Sequence, residues 1–546
     1  DSVAYDTPIF VFDKQQQRLK LVKAGEFIEN QCQDTKRYQV FACDLDNKTF
    51  SLRDIEKTIR HPLRSSLYEI KTRYGYKMKI TSCHNVFVCR DGNFITVPTT
   101  KLKISDKIVF PASMPQLNQK IQVDISPFLK HSEEAKNVQI KVLASKMKFI
   151  PSDAWIDFSS KYWQKLQLKR QEEGISRKKL GATIGVYTTV LEQWELKIDN
   201  VMPRYKCFKA YLSELNLEEK KVLKNASAYI PLSSFLETGD AVEYYFRNHT
   251  RKLKVAFDIN EDFAYLLGFY IGDGCSAFQK KNPNRFILSL GRDKKLYSPE
   301  LIRIIDNVLG AKAFIDKRND TNNQLVFHSY EFKLILRSFG LLGKKSYEKF
   351  VPEEIFSVDS KIQQAFLRGY LESDGSIVVK SCKKKLDVKL TFTTTSENLS
   401  DGIVLLFRQL GIFPESTMRF SKDHLRKDGV MIRSNYPGRL ISVKGINQLE
   451  KLKDVWKNHK RSKALEDYLV KADRRKSSYK KIRIGDSVLL PITSIKKIKA
   501  ETPFVYDFAV KKDENFVAGT GGFLLHNTDG AHITSLLLTL FFRYFR

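Results

Sequence analysis

The sequence lacks any run of about 18 consecutive apolar residues, so no segment is built to cross a membrane as a helix. Its start is polar and carries Asp1 and Asp6, so no secretory leader is expected. Its seven cysteines are odd in number and scattered, with no Cys-x-x-Cys pair. That pattern excludes a disulfide framework and offers no zinc site. Cys83 and Cys89 lie at even spacing on a strand-like stretch, and both are expected to face one side as small core residues. A reducing cytoplasm is the expected compartment. Acidic residues are also scarce: 62 Asp and Glu stand against 93 Lys and Arg, a net charge of +31. That excess is far beyond what solubility requires, and a polyanion, here nucleic acid, is the expected partner. What the chain does have is 42% apolar residues, enough for ordinary buried cores, and 546 residues, room for several domains of roughly 100–200 residues each.

The two ends of the chain share a texture that the middle lacks. Short alternating runs, "PIFVF", "YQVFAC", "YKMKITSCHNVFVC", "NFITV" and "KIVFPA", recur up to about residue 125, and Gly, Asn and Asp punctuate them. "SVLLPITSIKKIK", "FVYDFAV" and "NFVAG" repeat the pattern near the other end. One all-β domain interrupted by a large insertion explains both.

Within the insertion, residues from about 130 to 230 read as helical. "ISRKKLGATIGVYTTVLEQWE" resembles a helix-turn-helix of the phage-repressor type. Ser176 caps a helix that carries Leu180 and the small Ala182, and Gly185 sits at the turn. Tyr187 to Trp194 form the expected recognition helix, with Val190, Leu191 and Trp194 toward the core. Thr188, Thr189, Glu192 and Gln193 are then free for the DNA major groove. A plain three-helix packing module is the alternative.

Two segments further on can be superposed. "LLGFYIGDG" carries Gly268, Gly272, Asp273 and Gly274, and "FLRGYLESDG" carries Gly369, Ser373, Asp374 and Gly375. Small residues at i and i+4 share a helix face and let two helices approach closely. The two aspartates then sit side by side at one end. There each opposes its helix dipole and repels the other, and a divalent metal removes both problems. Paired carboxylates holding Mg²⁺ are a common solution for phosphodiester hydrolysis. An ordinary helix end with an incidental Asp would explain one such motif, but not the repeat.

These motifs resemble the LAGLIDADG homing endonucleases in their single-chain, two-repeat form. The resemblance implies that Asp273 and Asp374 bind Mg²⁺ and that each acidic helix is followed by a β-saddle that lies on double-stranded DNA. "RFILSLGRD" and "NQLVFHSYEF" are expected to supply the first saddle, "SIVVKSCKKKLDVKLTFTTTS" and "VMIRSNYPGRLISVKG" the second. "LRSFGLLG" and "FRQLGIF" fit the later helix of each repeat. The family also places a basic residue near each scissile phosphate. Lys349, in "YEKFVP", matches its Lys-x-Ile-Pro pattern, and Lys460, in "NHKRSK", is the best match in the second repeat. A solvated or phosphate-contacting lysine is the alternative for Lys460.

The two extremes of the chain resemble the junctions of an intein. His526, Asn527 and Thr528 stand in a row after an apolar run and a Gly pair, and Ser2 stands at the other end. Between them is Thr81-Ser82-Cys83-His84, a Thr-x-x-His on a β-like run. The resemblance implies a horseshoe-shaped, Hint-type β-domain that brings both junctions together. It implies that Ser2 attacks the carbonyl of Asp1 while His84 protonates the departing nitrogen and Thr81 holds the carbonyl. Thr528 then attacks the ester, and Asn527 cyclises with help from His526. Asp507, in "FVYDFAV", matches a position that couples the steps in many inteins, with an exposed structural Asp as its alternative. Gly521 and Gly522 would permit close approach of the last strand. Splicing itself is expected to need no cofactor.

The residues after Asn527, "TDGAHITSLLLTLFFRYFR", resemble a segment of the DNA gyrase B protein, a type IIA topoisomerase. Joining Asp1 to Thr528 gives Asp-Thr-Asp-Gly-Ala-His, so the insertion would split the host's metal-binding motif. The chain is therefore expected to be multidomain. Residue 1 and residues 528–546 belong to the host. Residues 2–128 and 476–527 form the splicing domain, residues 129–235 the helical insert, and residues 236–475 an α+β endonuclease with repeats at about 255–355 and 360–470. It is expected to act as a monomer on double-stranded DNA and on its own host flanks, with no membrane partner. A second reading keeps splicing and makes the centre a DNA-binding module or a decayed nuclease. A third, a free-standing DNA-binding regulator, leaves Asn527 and the tail unexplained.

Overall fold

A computed structural model describes residues 2–130, 135, 137–199, 201–234, 243–246, 252–276, 282, 284–291, 294–317, 323–382, 385–420, 424–425, 431–432, 435–471 and 482–527. Asp1, Thr528 and the rest of the host-like tail lie outside these residues. The chain divides into two compact units: residues 1–121, 258–329 and 341–546, and residues 122–257 with 330–340. No helix among the described residues is long and apolar enough to cross a membrane.

The first unit contains a sheet of fourteen strands among the described residues, drawn alternately from the two ends of the chain. Phe504–Val510 lies against the long strand Thr49–Pro62, and the order continues through Tyr38–Asp44, Pro8–Asp13, Asn515–Ala518, Phe523–His526, Asn85–Arg90 and Lys107–Pro111. Ser487–Ile498 then pairs with Lys107–Pro111 in its first half and with Leu67–Thr72 in its second, with a register shift between Ile492 and Ser494. A bulge of this kind bends a strand and lets one strand serve two neighbours. The like texture of the two ends thus has a physical basis: they supply one sheet. Gly521 and Gly522 both have positive φ, 81° and 92°, in the turn before Phe523–His526. A Cβ on Gly521 would fall 2.4 Å from the Tyr76 ring. Cys83 and Cys89 do not form the expected core pair. Cys83 is exposed because it lies in the turn between Lys77–Thr81 and Asn85–Arg90, where strand alternation no longer applies, and Cys89 is half-buried.

The same unit holds two long helices, Glu261–Asp273 and Ser360–Asp374. The first is buried from Phe263 to Ile271, as befits a helix that is apolar on all sides. They meet through glycine: a Cβ on Gly268 would lie 2.1 Å from the Phe366 carbonyl oxygen, and one on Gly369 would lie 2.1 Å from that of Tyr265. Each helix leads into a four-stranded sheet with the same order, first-second-fourth-third. The strands are Gly274–Ser276, Arg285–Gly291, Asn323–His328 and Ala313–Lys317 in one, and Gly375–Cys382, Lys385–Thr394, Gly438–Lys444 and Glu415–Arg419 in the other. The helix that "FRQLGIF" closes, Glu397–Gln409, falls between the second and third strands. It corresponds to Lys294–Leu309 rather than to the helix Tyr330–Ser338 that "LRSFGLLG" closes.

The second unit is not purely helical, as expected for 129–235, but α+β. Its sheet runs Trp155–Asp157, Ser227–Pro231, Val138–Leu143, Glu243–Phe246, Lys252–Leu253. These strands are short, and the last two lie beyond the expected boundary at 235. Helices Ser160–Glu172, Arg177–Ile184, Thr188–Leu196, Tyr205–Glu214 and Glu219–Leu223 pack on a core of Trp163, Leu180, Leu191, Trp194, Phe208 and Tyr211.

Candidate functional site

Residues 2–4 are held between two strands. Val3 donates its N–H to the Tyr506 carbonyl at 2.8 Å and accepts from the Tyr506 N–H at 3.0 Å, while the Ala4 N–H reaches the Lys79 carbonyl at 3.1 Å. Ser2 is fully buried. Its N–H donates to the Thr81 hydroxyl at 3.1 Å, and its carbonyl accepts from the Thr81 N–H at 3.0 Å. Thr81 thus touches both faces of this backbone. Asp507, next to Tyr506, is also fully buried and accepts the Phe508 N–H at 2.9 Å, so it is not an exposed structural residue.

His84 closes the turn after Thr81, its N–H on the Thr81 carbonyl at 3.2 Å. Its ring is fully buried, and neither nitrogen has a hydrogen-bond partner among the described residues. Burial, with His526 nearby, lowers its pKa to about 3. The imidazole is therefore neutral near pH 7, and its N–H is available to a group entering the pocket.

The other end arrives on the neighbouring strand. Leu525 pairs with Val86, which sets Phe523–His526 beside the strand that follows His84. His526 packs on Phe87, and its Nδ1–H donates to the Asn527 carbonyl at 2.5 Å. Asn527 is buried. Its N–H donates to the Glu514 carbonyl at 3.0 Å and its side-chain amide to the Val510 carbonyl at 3.3 Å, and its Oδ1 has no partner among the described residues. The strand Phe504–Val510 therefore contacts both ends: Tyr506 holds Val3 and Val510 holds Asn527.

At the paired helices, Asp273 and Asp374 end their helices next to each other, with Gly272 packed against Ser373 and Asp374. Burial and then the Asp374 charge push Asp273 up to about 6, and desolvation also raises Asp374. Both shifts mark two carboxylates short of positive charge.

The sequence matches the family described as the intein splicing domain over residues 11–527. The chain belongs to that family. A DNA polymerase of Thermococcus sp. (strain GE8) is 24% identical over 94% of this chain and 31% of its own length. The Thermococcus litoralis DNA polymerase is 24% identical over 93% of this chain and 31% of its own. The intein thus spans about a third of the relatives it matches. Among solved structures, it is similar to a transcription factor IIB mini-intein, with 27% identity over 20% of this chain and 70% of that one and a TM-score of 0.18. It is also similar to I-DmoI in complex with DNA and Ca, with 18% identity over 38% of this chain and 98% of that one and a TM-score of 0.27.

In the intein, the structure brings Ser2, Thr81, His84, Asp507, His526 and Asn527 onto adjoining strands, while Thr528 falls outside the described residues. His526 touches the Asn527 carbonyl oxygen. Lys349 stands beside the acidic pair, and its charge works against the burial that raises Asp273 and Asp374. The Lys349 ammonium donates to the carbonyls of Tyr270, Ile271 and Gly274 at 3.0, 2.9 and 2.8 Å, so its protons cap the first acidic helix. Burial lowers its pKa to about 8. Lys460 is exposed, and its neighbour Arg461 donates to the Ile377 carbonyl at 3.2 Å.

In the second unit, Thr188 and Thr189 are exposed at the start of the expected recognition helix, and Tyr187 before them is 84% exposed. Gln193 is half-buried, and Glu192 is tied to Arg177 at 3.1 Å. One functional contact carried no sequence signal. The Ser2 hydroxyl lies 2.7 Å from Nε2 of His61, in the unremarkable run "KTIRHP".

Proposed function

We propose that the chain excises the segment from Ser2 to Asn527 and joins Asp1 to Thr528. Ser2 attacks the Asp1 carbonyl to form an ester, with Thr81 holding the Ser2 nitrogen and carbonyl. His84, neutral and buried, supplies the hydrogen bond to that nitrogen as it leaves. The Thr528 hydroxyl then takes over the acyl group. The Asn527 amide nitrogen attacks its own carbonyl, whose oxygen His526 polarises. Asp507, buried on the strand that holds both ends, couples the steps. The observation that carries this reading is the strand Phe504–Val510, whose backbone grips Val3 and Asn527 together. Expression with both flanks tests it. The expected masses are those of the joined flanks and the free intein, and intact precursor alone would refute it.

The paired helices support a second activity, Mg²⁺-dependent, sequence-specific cleavage of double-stranded DNA at the uninterrupted host gene. The donor set fits the ion: two carboxylates raised by burial, Asp273 also by the Asp374 charge, gain from a hard divalent cation. Asp273 and Asp374 would hold Mg²⁺, and the bound ion would supply Lewis acidity for water and for phosphate charge. Lys349 keeps the helix end in place beneath them. The two four-stranded sheets supply the saddles, and Thr188, Thr189, Gln193 and Glu192 supply contacts from the helix-turn-helix. The flanking "TDGAHI" supports a host of the gyrase B type, and the fitting compartment is the cytoplasm. A plasmid carrying the fused site should be linearised with Mg²⁺. Binding without cleavage would favour a nuclease that has lost its activity.

A further inference from the structure

Ser2 is an alcohol, and an alcohol is a poor nucleophile unless a base takes its proton. The Thr-x-x-His motif does not supply that base, because Thr81 meets the Ser2 nitrogen and carbonyl while His84 makes no hydrogen bond to the hydroxyl. The group on the Ser2 hydroxyl is His61. It lies at the end of Thr49–Pro62, paired across the sheet with Val505, one residue before the Tyr506 that grips Val3. Leu63, two residues on, fixes this strand end through an N–H to the Pro503 carbonyl at 2.8 Å. His61 Nδ1 faces the Pro62 carbonyl at 3.2 Å. A carbonyl only accepts, so Nδ1 carries the ring proton and Nε2 presents its lone pair to the Ser2 O–H at 2.7 Å. His61 is half-buried, so water reaches the ring, whereas Ser2 and His84 are sealed.

We infer that His61 is the general base of the first splicing step. This rests on Ser2 being the first nucleophile. The Ser2 Oγ–H bond breaks toward His61 Nε2 as Oγ bonds to the Asp1 carbonyl carbon. The Asp1–Ser2 C–N bond then breaks, and the nitrogen gains one proton in place of the one His61 received. The amide and alcohol become an ester and an amine, and the imidazole returns to its neutral form. The two histidines thus divide the work, His61 on the oxygen and His84 on the nitrogen.

The test uses the full chain with both flanks and Asn527→Ala, so that the C-terminal junction stays closed, and follows hydroxylamine cleavage at residue 2. His61→Gln keeps a side chain of similar reach but cannot act as a base. It should slow cleavage by about a hundredfold or more, the usual range for a lost general base. A thiol ionises without help near neutral pH. Ser2→Cys combined with His61→Gln should therefore cleave within a few-fold of Ser2→Cys alone. Cleavage of His61→Gln at the parent rate would overturn the proposal. So would an equal loss in the serine and cysteine backgrounds, which would mark His61 as structural, and a thermal melt of each variant identifies a folding defect as that case. Cleavage that persists in Ser2→Ala would instead refute Ser2 as the nucleophile.

Discussion

The junction centre and the paired-helix centre treat charge in opposite ways. Around Ser2 and Asn527 the reactive groups are a hydroxyl, an amide and imidazoles, and the fold holds His84 neutral by burying it. At Asp273 and Asp374 the fold does the reverse: two glycine-mediated helices force carboxylates together at negative helix ends. That centre is left with two like charges at helix ends that already disfavour them. On the proposed reading, one centre acts once, on its own chain, and the other waits for an ion and a DNA partner.

The comparison is tested most sharply by separating the two activities. Asn527→Ala removes the only amide able to cyclise there, and release of the C-terminal flank should vanish by mass spectrometry while DNA cleavage persists. Loss of both would mean that the nuclease depends on excision. Next in size, Asp273→Asn halves the charge of the acidic pair, and plasmid cleavage in Mg²⁺ should fall on the order of a thousandfold. The yield of joined flanks should not change. A fall in that yield would show that the acidic helices also support the junction.

Both centres were legible in the sequence to the extent that their parts were local or repeated. Gly268 and Gly369 announced the helix contact because a motif occurred twice in equal register, and His526-Asn527 because three chemical groups were contiguous. The shared sheet was readable from the texture of its strands. Its pairing was not: that Val505 faces His61, or that Ser487–Ile498 serves two neighbours, depends on long-range register that no local pattern encodes. Lys349 was found by its motif, but its direction was not, since a buried ammonium takes whichever acceptors the fold offers. Here these were three carbonyls at a helix end. The sheet of the second unit was missed because its strands are too short to show a period against the helices beside them.

A smaller effect concerns pH and reads the neutral half of the comparison. In the unfolded chain His84 protonates near its ordinary value of 6.5, while in the fold it resists down to about 3. The unfolded state therefore binds more protons between these values, and stability is lost as the pH falls from about 6.5 toward 3. The loss attributable to this group is about 1.4 kcal/mol per pH unit. Urea midpoints measured from about pH 7 down to about pH 4.5, inside that window, should fall more steeply for the parent than for His84→Leu. Parallel slopes would mean that the pocket does not hold the ring neutral.

The smallest expected effect asks whether the two regions are independent at all. Arg408, on the helix Glu397–Gln409 of the second repeat, is fully buried, yet no acid meets its guanidinium among the described residues. It donates instead to the carbonyls of Pro111, Ala112 and Gly521, and it stacks on Phe413 at 3.5 Å. Gly521 belongs to the turn that delivers His526 and Asn527, so one side chain of the second repeat fastens the turn before Asn527. Arg408→Met keeps the bulk and leaves three carbonyls without this donor. A cost of about 1–3 kcal/mol in stability is expected. If the turn loosens with it, C-terminal release should slow a few-fold while hydroxylamine cleavage at Ser2 holds its rate. Equal slowing at both junctions would place the effect in global stability. No slowing at either would make this contact only an anchor, leaving two centres that share a body without sharing a mechanism.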